Sequence, residues 1–327
     1  MKQSGTGYSY SLNFPRIYET LYEALKQKKT NSIRGNFPRG LPFVNEDEYY
    51  ILEDSINFLQ ETLPTISHPF LGYFHLLPPH YPYKTRKDFV DAFQNDGYKP
   101  VKKPEHIFGR SHSQESMDKR RTLYDEFILY ADAEFARLYN SLEQAGVLEN
   151  TWVILTSDHG EYFERGVIGH RTPMMFQPVL KIPLIIFEPG RKSRLDVLEN
   201  TSSIDVLPTL MKVTDQEIPT WIEGELLPPF NQNTQSKDRD IYSMNIVGSD
   251  KHQPVVKASL VLYRGDYKLI YYFGYKEIGN QDGIVELFNV KNDPEELNEL
   301  SSIKPDITNE MLQTIKAKLT EVNEPYL

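Results

Sequence analysis

The sequence has 327 residues, enough for one large α/β domain or two modest domains. Its 46 acidic and 36 basic residues give a net charge of −10, which argues against a nucleic-acid partner because phosphates require a basic surface. It contains no Cys, which excludes disulfides, Cys-ligated zinc and a thiol nucleophile on this chain. No apolar run approaches the roughly 20 residues of a membrane span, and no secretory signal opens the chain, so the compartment stays open.

The first half of the chain combines helical patterns with irregular segments. Apolar residues at helical spacing predict an amphipathic helix over 15–28 and a second helix over 46–63. The run PFLGYFHLL at 69–77 is apolar throughout, which is typical of a strand buried on both faces, and a Pro-rich loop ends it. Residues 84–115 are polar with scattered aromatic residues, which predicts an irregular segment. The long apolar stripe over 116–144 predicts the clearest helix, closed by a glycine.

The middle of the chain alternates strand and helix patterns. TWVILTS at 151–157 and PLIIF at 183–187 predict two further buried strands, and 203–213 predicts a short helix. Buried strands that alternate with helices favour an α/β fold, in which a mostly parallel sheet carries helices on both faces.

The C-terminal part has a different pattern. Two apolar segments around Arg-Gly-Asp in 259–273 predict a hairpin, 285–290 predicts another strand, and 306–322 predicts a last helix. A polar linker at 232–240 precedes them. These elements indicate a small antiparallel sheet with a helix packed on it.

We therefore expect two domains. The first is an α/β domain over 1–231, of which residues 1–64 form an irregular, partly helical lead-in, and the second is an α+β subdomain over 232–327. Ligands of open α/β sheets bind beyond the carboxyl ends of the strands. Residues that follow the strands of the first domain are therefore the candidates for a functional site.

Two of the predicted strands run into residues that can bind metals or anions. Asp158 and His159 follow the strand 151–157, and Gly160 permits the turn that would bring both side chains to one ion. His80 follows the strand 69–77, and His170 lies in a neighbouring loop. The alternative is that Asp158 caps a helix and that the histidines are solvated. Taken together, three separated segments favour a shared site.

The order of these segments resembles the sulfatase family of the alkaline-phosphatase-like superfamily. The resemblance covers about 68–215 and 255–300 and implies an alkaline-phosphatase-like fold, incomplete in this chain. It rests on the buried strand ending in PPHYP and on YDEFILYADAEFARLYNSLEQAG, NTWVILTSDHGE, GH…KIPLIIFEPG, SSIDVLPTLMKV and RGDYKLI…ELFNVKNDPEELNEL. Each segment alone is a weak signal, but six in the same order are specific.

The resemblance implies a role for each candidate residue. Asp158 and His159 match ligands of a divalent cation, usually calcium and in some relatives manganese, while the imidazole favours manganese or zinc. His80 matches a catalytic histidine that hydrogen-bonds an ester oxygen and assists protonation of the leaving group. His170 lies where relatives contact the sulfate, and Arg171 is a further candidate for substrate binding. The implied partner is a small-molecule sulfate or phosphate ester.

One departure from the family pattern concerns the nucleophile. Family members carry two further acidic metal ligands and a Cys/Ser-x-Pro-x-Arg motif whose first residue becomes formylglycine. This sequence has no Cys, no such motif and no Asp before Asp47, so formylglycine is not available on this chain. We therefore expect a truncated, C-terminal portion of a sulfatase, inactive alone, whose exposed sheet flank is covered by a partner chain or by self-association.

Two alternative functions stay open at this point. Phosphodiesterases, phosphonate monoester hydrolases and phosphoryl transferases share this fold and are the first alternative. A metal beside cationic donors stabilises the negative charge that develops when any of these esters reacts. The third reading is a non-catalytic module that binds an anion without turnover. The upstream nucleophile motif would distinguish the first two, and an anion-dependent melting temperature would support the third.

Overall fold

The chain forms two compact units in the computed structural model. They comprise Met1–Pro100 with Asp118–Trp152, and Val101–Met117 with Val153–Leu327. The predicted domain boundary after residue 231 lies inside the second unit and stays a prediction. The structure describes residues 34–45, 48–231, 239–246, 252–279 and 282–327, so the helix predicted over 15–28 lies outside the described residues.

Among the described residues, the first unit contains a short hairpin, one helix and most of a second, longer helix. Strands β1 (Phe43–Asn45) and β2 (Glu48–Tyr49) pair antiparallel and lead into helix α1 (Leu52–Thr62). The predicted helix over 46–63 is confirmed in its second part and begins six residues later than expected. The long helix α2 (Gln114–Gln144) confirms the strongest helical pattern of the sequence.

Charged side chains connect α1 and α2 within this unit. The Arg86 guanidinium lies 2.8 Å from a carboxylate oxygen of Glu53 on α1 and 2.9 Å from one of Glu134 on α2. The Tyr130 hydroxyl of α2 donates a hydrogen bond to Glu53. Burial and the Glu53 carboxylate raise the pKa of Tyr130, so the hydroxyl stays a donor. Hydrogen-bonded ion pairs therefore help to hold the two helices together.

The prediction of a buried strand over 69–77 is wrong. The segment is irregular in the structure, with Leu71 81% and Tyr73 77% exposed. An apolar run becomes a buried strand only when neighbouring strands take up its backbone hydrogen bonds. None of the strands in the described ranges pairs with this segment. His80 consequently lies in a turn, in which its backbone N–H donates to the Leu77 carbonyl.

The second unit begins with short strands. They are β3 (Val153–Thr156), β4 (Tyr162–Glu164) and β5 (Val167–Gly169), followed by the one-turn helix α3 (Gln177–Leu180) and by β6 (Leu184–Phe187). β3 pairs with β6 and β4 pairs with β5, both antiparallel.

The sequence correctly predicts β3 and β6 as strands but not their pairing. All strand pairs among the described residues are antiparallel, so the expected mostly parallel sheet is not present there. A parallel pair needs a long crossover, usually a helix, whereas the chain between β3 and β6 forms a hairpin and a single helical turn. Both strands are only partly buried, and Ile185 on β6 is 47% exposed.

A short helix with a well-defined start follows. Helix α4 (Val206–Val213) is preceded by a 3₁₀ turn over Ser203–Asp205, which confirms the helix predicted over 203–213. Ser202 and Asp205 form a capping box, and the buried Asp205 carboxylate receives the Arg239 guanidinium at 2.7 and 2.8 Å. Such bidentate, charge-assisted bonds are strong, so they fix the start of the helix.

The C-terminal part of the second unit is an antiparallel sheet with one helix. Its strands are β7 (Ile241–Ile246), β8 (Ala258–Arg264), β9 (Tyr267–Phe273) and β10 (Ile284–Asn289), in the order β10-β9-β8-β7, and α5 (Pro305–Asn323) is the helix. The predicted hairpin, strand and helix are all confirmed, whereas β7 was not predicted. None of the helices in the described ranges is both long and apolar enough to cross a membrane.

Strand β9 is buried on both faces because its side chains alternate. Leu269 and Tyr271 belong to the core on the side of α5, with Met311 and Ile315 of that helix. Ile270 and Tyr272 point to the opposite side and belong to a second core, which also contains Tyr162 of β4 and Phe176, the residue before α3.

This alternation places a lysine inside the second core region. Lys268 is fully buried, and its ammonium lies 2.6 Å from the carboxylate of Glu296, which is 1% exposed. The backbone N–H of Gln177 donates to the other oxygen of Glu296 at 2.7 Å. Burial lowers the pKa of Lys268, and the Glu296 carboxylate opposes that shift. A hydrogen-bonded ion pair therefore lies in the protein interior.

Candidate active site

The residues after β3 turn sharply because a glycine packs against the backbone. The N–H of Gly160 donates to the carbonyl of Val179 at 3.0 Å, and a Cβ at this position would lie 2.0 Å from the carbonyl oxygen of Pro178. Only glycine allows this approach. The turn separates β3 from the following strand and brings Asp158 and His159 into a loop, as the sequence analysis expects for a site.

The β4–β5 hairpin positions the next polar side chains. Arg165 and Gly166 form its two-residue turn with φ angles of 52° and 77°, as in the hairpin turns that match the twist of paired strands. The hairpin pairs Tyr162 with Gly169. The residues just outside this pair, Glu161 and His170, therefore face each other across the hairpin.

Two histidines from these segments lie side by side. The ring centroids of His159 and His170 are 3.9 Å apart, with 37° between the ring planes. The Nδ1 atom of His159 lies 2.8 Å from the Gly160 carbonyl oxygen, and the Nδ1 atom of His170 lies 2.9 Å from Oε1 of Glu161. In each ring a hydrogen bond at Nδ1 leaves Nε2 as the atom that can face a ligand.

Asp158 is more exposed than the histidines. Its side chain is 60% exposed, Oδ1 accepts the backbone N–H of His159 at 3.0 Å, and Oδ2 lies 3.8 Å from the Nε2 atom of that histidine. The next regular element is the strand β4, so the alternative in which Asp158 caps a following helix does not describe this loop.

The donor atoms near β4 fit a divalent metal ion. One ligand atom each from His159, Glu161 and His170 lies within 4.8 Å of the others. The Oε2 atom of Glu161 is buried and, among the described residues, has no hydrogen-bond partner. Carboxylate oxygens suit calcium and manganese, and imidazole nitrogens suit manganese and zinc. The site therefore has the ligand types that such an ion requires.

The other two candidate residues are not members of this cluster. Arg171 follows His170 and is exposed, and its backbone carbonyl accepts a hydrogen bond from the Arg110 guanidinium. His80 belongs to the first unit, where its Nδ1 atom lies 2.7 Å from the Tyr81 carbonyl oxygen. The convergence of His80 with the residues of the second unit stays a prediction.

The β4–β5 hairpin also contains a carboxyl group, that of Glu164, which should make the stability of the fold depend on pH. Burial raises the pKa of Glu164 above its ordinary value of 4.5, and Lys103, whose ammonium lies 2.7 Å away, opposes the shift. A raised pKa means that the folded state favours the protonated form. The contribution of Glu164 to stability is therefore fully present below pH 4.5 and is lost as the pH rises through the folded-state pKa.

We expect Glu164→Gln to reveal this dependence. The free energy of unfolding of the wild type, minus that of the variant, should be largest below pH 4.5 and fall as the pH rises through the raised value. Denaturant unfolding of both proteins at several pH values measures this difference. Contributions from titrating groups that behave alike in the two proteins cancel in it. A difference that rises with pH would contradict the assigned direction.

The family assignment agrees with these observations. The sequence model of the sulfatase family matches residues 1–216, which is more than half of the chain. The chain belongs to the sulfatase family. A second model, for the C-terminal region of N-sulphoglucosamine sulphohydrolase, matches residues 164–325 of this sulfatase-family chain.

Known members of the sulfatase family are similar along most of the chain. Arylsulfatase K of Bos taurus is 24% identical over 299 residues, which is 80% of this chain and 53% of that protein. The chain therefore spans about half the length of the curated relatives that it matches.

Solved structures confirm the alkaline-phosphatase-like fold. The phosphonate monoester hydrolase of Agrobacterium radiobacter has a TM-score of 0.68 at 16% identity, covering 93% of this chain and 69% of its own. A protein solved in complex with its substrate D-glucosamine-2-N,6-O-disulfate has a TM-score of 0.60 at 21% identity, covering 85% and 72%.

Glu161 is the residue of this sulfatase-family site to which sequence analysis gave no role. The sequence contains a signal for it: Glu161 is followed by the aromatic pair Tyr162-Phe163, by Arg165-Gly166 at a turn position, and by the apolar pair Val167-Ile168. A two-residue turn there fixes the hairpin register, which places Glu161 opposite His170.

Proposed function

We propose that this chain provides the metal-binding and anion-binding part of an enzyme that hydrolyses sulfate esters. The observation that carries the proposal is the cluster of His159, which follows β3, with Glu161 and His170, which flank the β4–β5 hairpin, in a chain of the sulfatase family. A structural relative that was solved with a disulfated glucosamine supports a small-molecule sulfate ester as the substrate class.

Each predicted site residue has a role in this proposal. Asp158 and His159 hold the divalent cation, for which calcium, manganese and zinc are the candidates. When bound, the cation stabilises negative charge on the ester oxygens. His170 and Arg171 contact the sulfate group, and His80 hydrogen-bonds an ester oxygen and assists protonation of the leaving group.

The arrangement suits the charge that develops during ester cleavage. Negative charge grows on the leaving oxygen and on the equatorial oxygens, and donors that are already in position stabilise it without reorganisation. Hydrogen bonds from the hairpin and from Gly160 orient both histidine rings before a substrate binds. The sequence has no Cys and no Cys/Ser-x-Pro-x-Arg motif. We therefore expect this chain to bind metal and sulfate without turning over an aryl sulfate by itself.

Thermal unfolding of the full chain tests the proposal. With a divalent cation present, inorganic sulfate at 100 times its Kd should stabilise the protein by about 2.7 kcal/mol, whereas chloride at equal ionic strength should not. His170→Ala and Arg171→Ala should remove the shift. Arg194→Ala is the matched control, because this arginine is 85% exposed and lies outside the cluster. A wild-type chain whose melting temperature does not respond to sulfate would contradict the proposal.

The second candidate function is hydrolysis of phosphonate or phosphate esters. It is favoured by the likeness in fold to a phosphonate monoester hydrolase. The same titration with phenylphosphonate and inorganic phosphate separates the two candidates, because a clearly lower Kd for these ligands than for sulfate would support the second. Turnover of an aryl sulfate by the isolated chain would contradict the expectation that it is inactive alone.

A further inference from the structure

Glu161 is a buried carboxylate with an unusual set of partners. Its side chain is only 4% exposed, and Oε1 lies 2.9 Å from the Nδ1 atom of His170. The Oε2 atom is buried and has no hydrogen-bond partner within the part of the chain that the structure describes. Burying a carboxylate is costly unless it is paired or hydrogen-bonded. The contact with His170 is the hydrogen bond that offsets part of this cost at Oε1.

The hairpin register produces this contact. Because β4 and β5 pair Tyr162 with Gly169, the positions before and after this pair lie opposite each other. Side chains at such positions are close enough to interact directly. The two-residue turn at Arg165 and Gly166 leaves no alternative register without inserting or deleting a residue.

We propose that Glu161 is a positioning residue for His170. The carboxylate accepts the Nδ1–H of the His170 imidazolium ring and so directs its Nε2–H, as a hydrogen-bond donor, toward the anionic group of the ester. The proposal rests on the role given above to His170 and adds the residue that orients it. A partner at one imidazole nitrogen determines which nitrogen is left for a ligand, and it fixes the orientation of the ring.

The neighbouring ring restricts His170 from a second direction. The His159 ring lies with its centroid 3.9 Å from that of His170, so rotation of the imidazole is limited by packing as well as by the Glu161 bond. Glu161 itself needs no contact with the ester in this arrangement. Loss of its carboxylate should change the state of the His170 ring before it changes the fold.

Nitrogen-15 NMR of the full chain with labelled histidine tests the proposal directly. In the wild type at pH 7, the Nδ1 atom of His170 should carry a hydrogen-bonded proton, with the signal assigned by its loss in His170→Asn. Glu161→Ala should remove this signature, and Glu161→Gln should retain it, because the amide oxygen can still accept the proton. A wild-type His170 that is protonated only at Nε2 would overturn the proposal without any variant.

Sulfate binding provides the functional readout. In the presence of a fixed concentration of divalent cation, Glu161→Ala should weaken the Kd for inorganic sulfate about 10–100-fold, as loss of an orienting partner of a functional histidine does. Glu161→Gln should restore most of the affinity. Glu164→Gln is the matched control, because this glutamate belongs to the same hairpin, is largely buried and pairs with Lys103 instead.

Two outcomes count against the positioning role, and a third counts against the proposed function alone. If Glu164→Gln weakened sulfate binding as much as Glu161→Ala, a general effect on the hairpin would explain both. If Glu161→Ala weakened binding of the cation alone, measured without sulfate, Glu161 would be a metal ligand. If no variant or wild type bound sulfate, the proposed function would fail, but the NMR signature would still decide whether Glu161 orients His170.

Discussion

Replacing Lys268 with Met is expected to lower the free energy of unfolding by about 3–5 kcal/mol. The variant keeps most of the side-chain volume but removes the ammonium group, so that the carboxylate of Glu296 stays buried without its counter-charge. Both side chains are at most 1% exposed, and solvent cannot replace the lost partner. The backbone N–H of Gln177 also donates to this carboxylate, but it does not supply a full charge. Urea unfolding at pH 7 measures the loss.

Two controls separate the buried charge from the change in packing. The double variant Lys268→Met with Glu296→Gln should recover a large part of the loss, because it removes both charges together. Lys318→Met removes the same group from an exposed pair with Glu321, where the expected cost is below about 1 kcal/mol. A loss for Lys268→Met no larger than that for Lys318→Met would show that the pair does not matter for stability.

Removing the His159 imidazole is expected to weaken binding of a divalent cation by more than about 100-fold. Loss of an outer-shell partner alone costs about 10–100-fold in metal affinity, and a direct ligand should matter more. His159 is the residue that the family resemblance implies as a metal ligand and that also belongs to the cluster of possible ligand atoms. Isothermal titration of the full chain with manganese, zinc and calcium chlorides measures the Kd of each ion.

A histidine elsewhere in the second unit is the control for this experiment. His112 is exposed and lies outside the His159 cluster, so His112→Ala should leave the metal Kd unchanged. Asp158→Ala should weaken binding in the same direction as His159→Ala. If His159→Ala and His112→Ala bound the ions equally well, the metal site would have to lie elsewhere.

The elements that sequence analysis predicts best are those whose pattern is long or whose turn chemistry is local. Helix α2 is 31 residues long, and its apolar residues recur at helical spacing from Leu123 to Leu142, which leaves little choice of structure. The β8–β9 hairpin is marked by two apolar segments around Gly265 and Asp266, and the structure places the turn at these residues. In both cases the information needed to form the element lies within the element itself.

The predictions that failed depend on residues far away in the chain. The segment 69–77 has the composition of a buried strand, but composition does not supply neighbouring strands, and the structure leaves the segment irregular. The pairing of β3 with β6 likewise depends on the chain between them. At the site, the sequence identifies Asp158, His159 and His170 as candidates. The contact between Glu161 and His170 required the hairpin register as well.

That register makes the contact between Glu161 and His170 sensitive to changes in the length of the hairpin as well as to changes of side chain. In a β-ribbon, a shift of one residue sends every side chain to the opposite side. A single codon inserted at Arg165-Gly166 would leave Glu161 and His170 unchanged in the sequence, and wherever the pairing shifted by one residue to accommodate it, the two side chains would point away from each other. Comparisons among homologues that open a gap at this turn would therefore count both residues as conserved in proteins that have lost the contact.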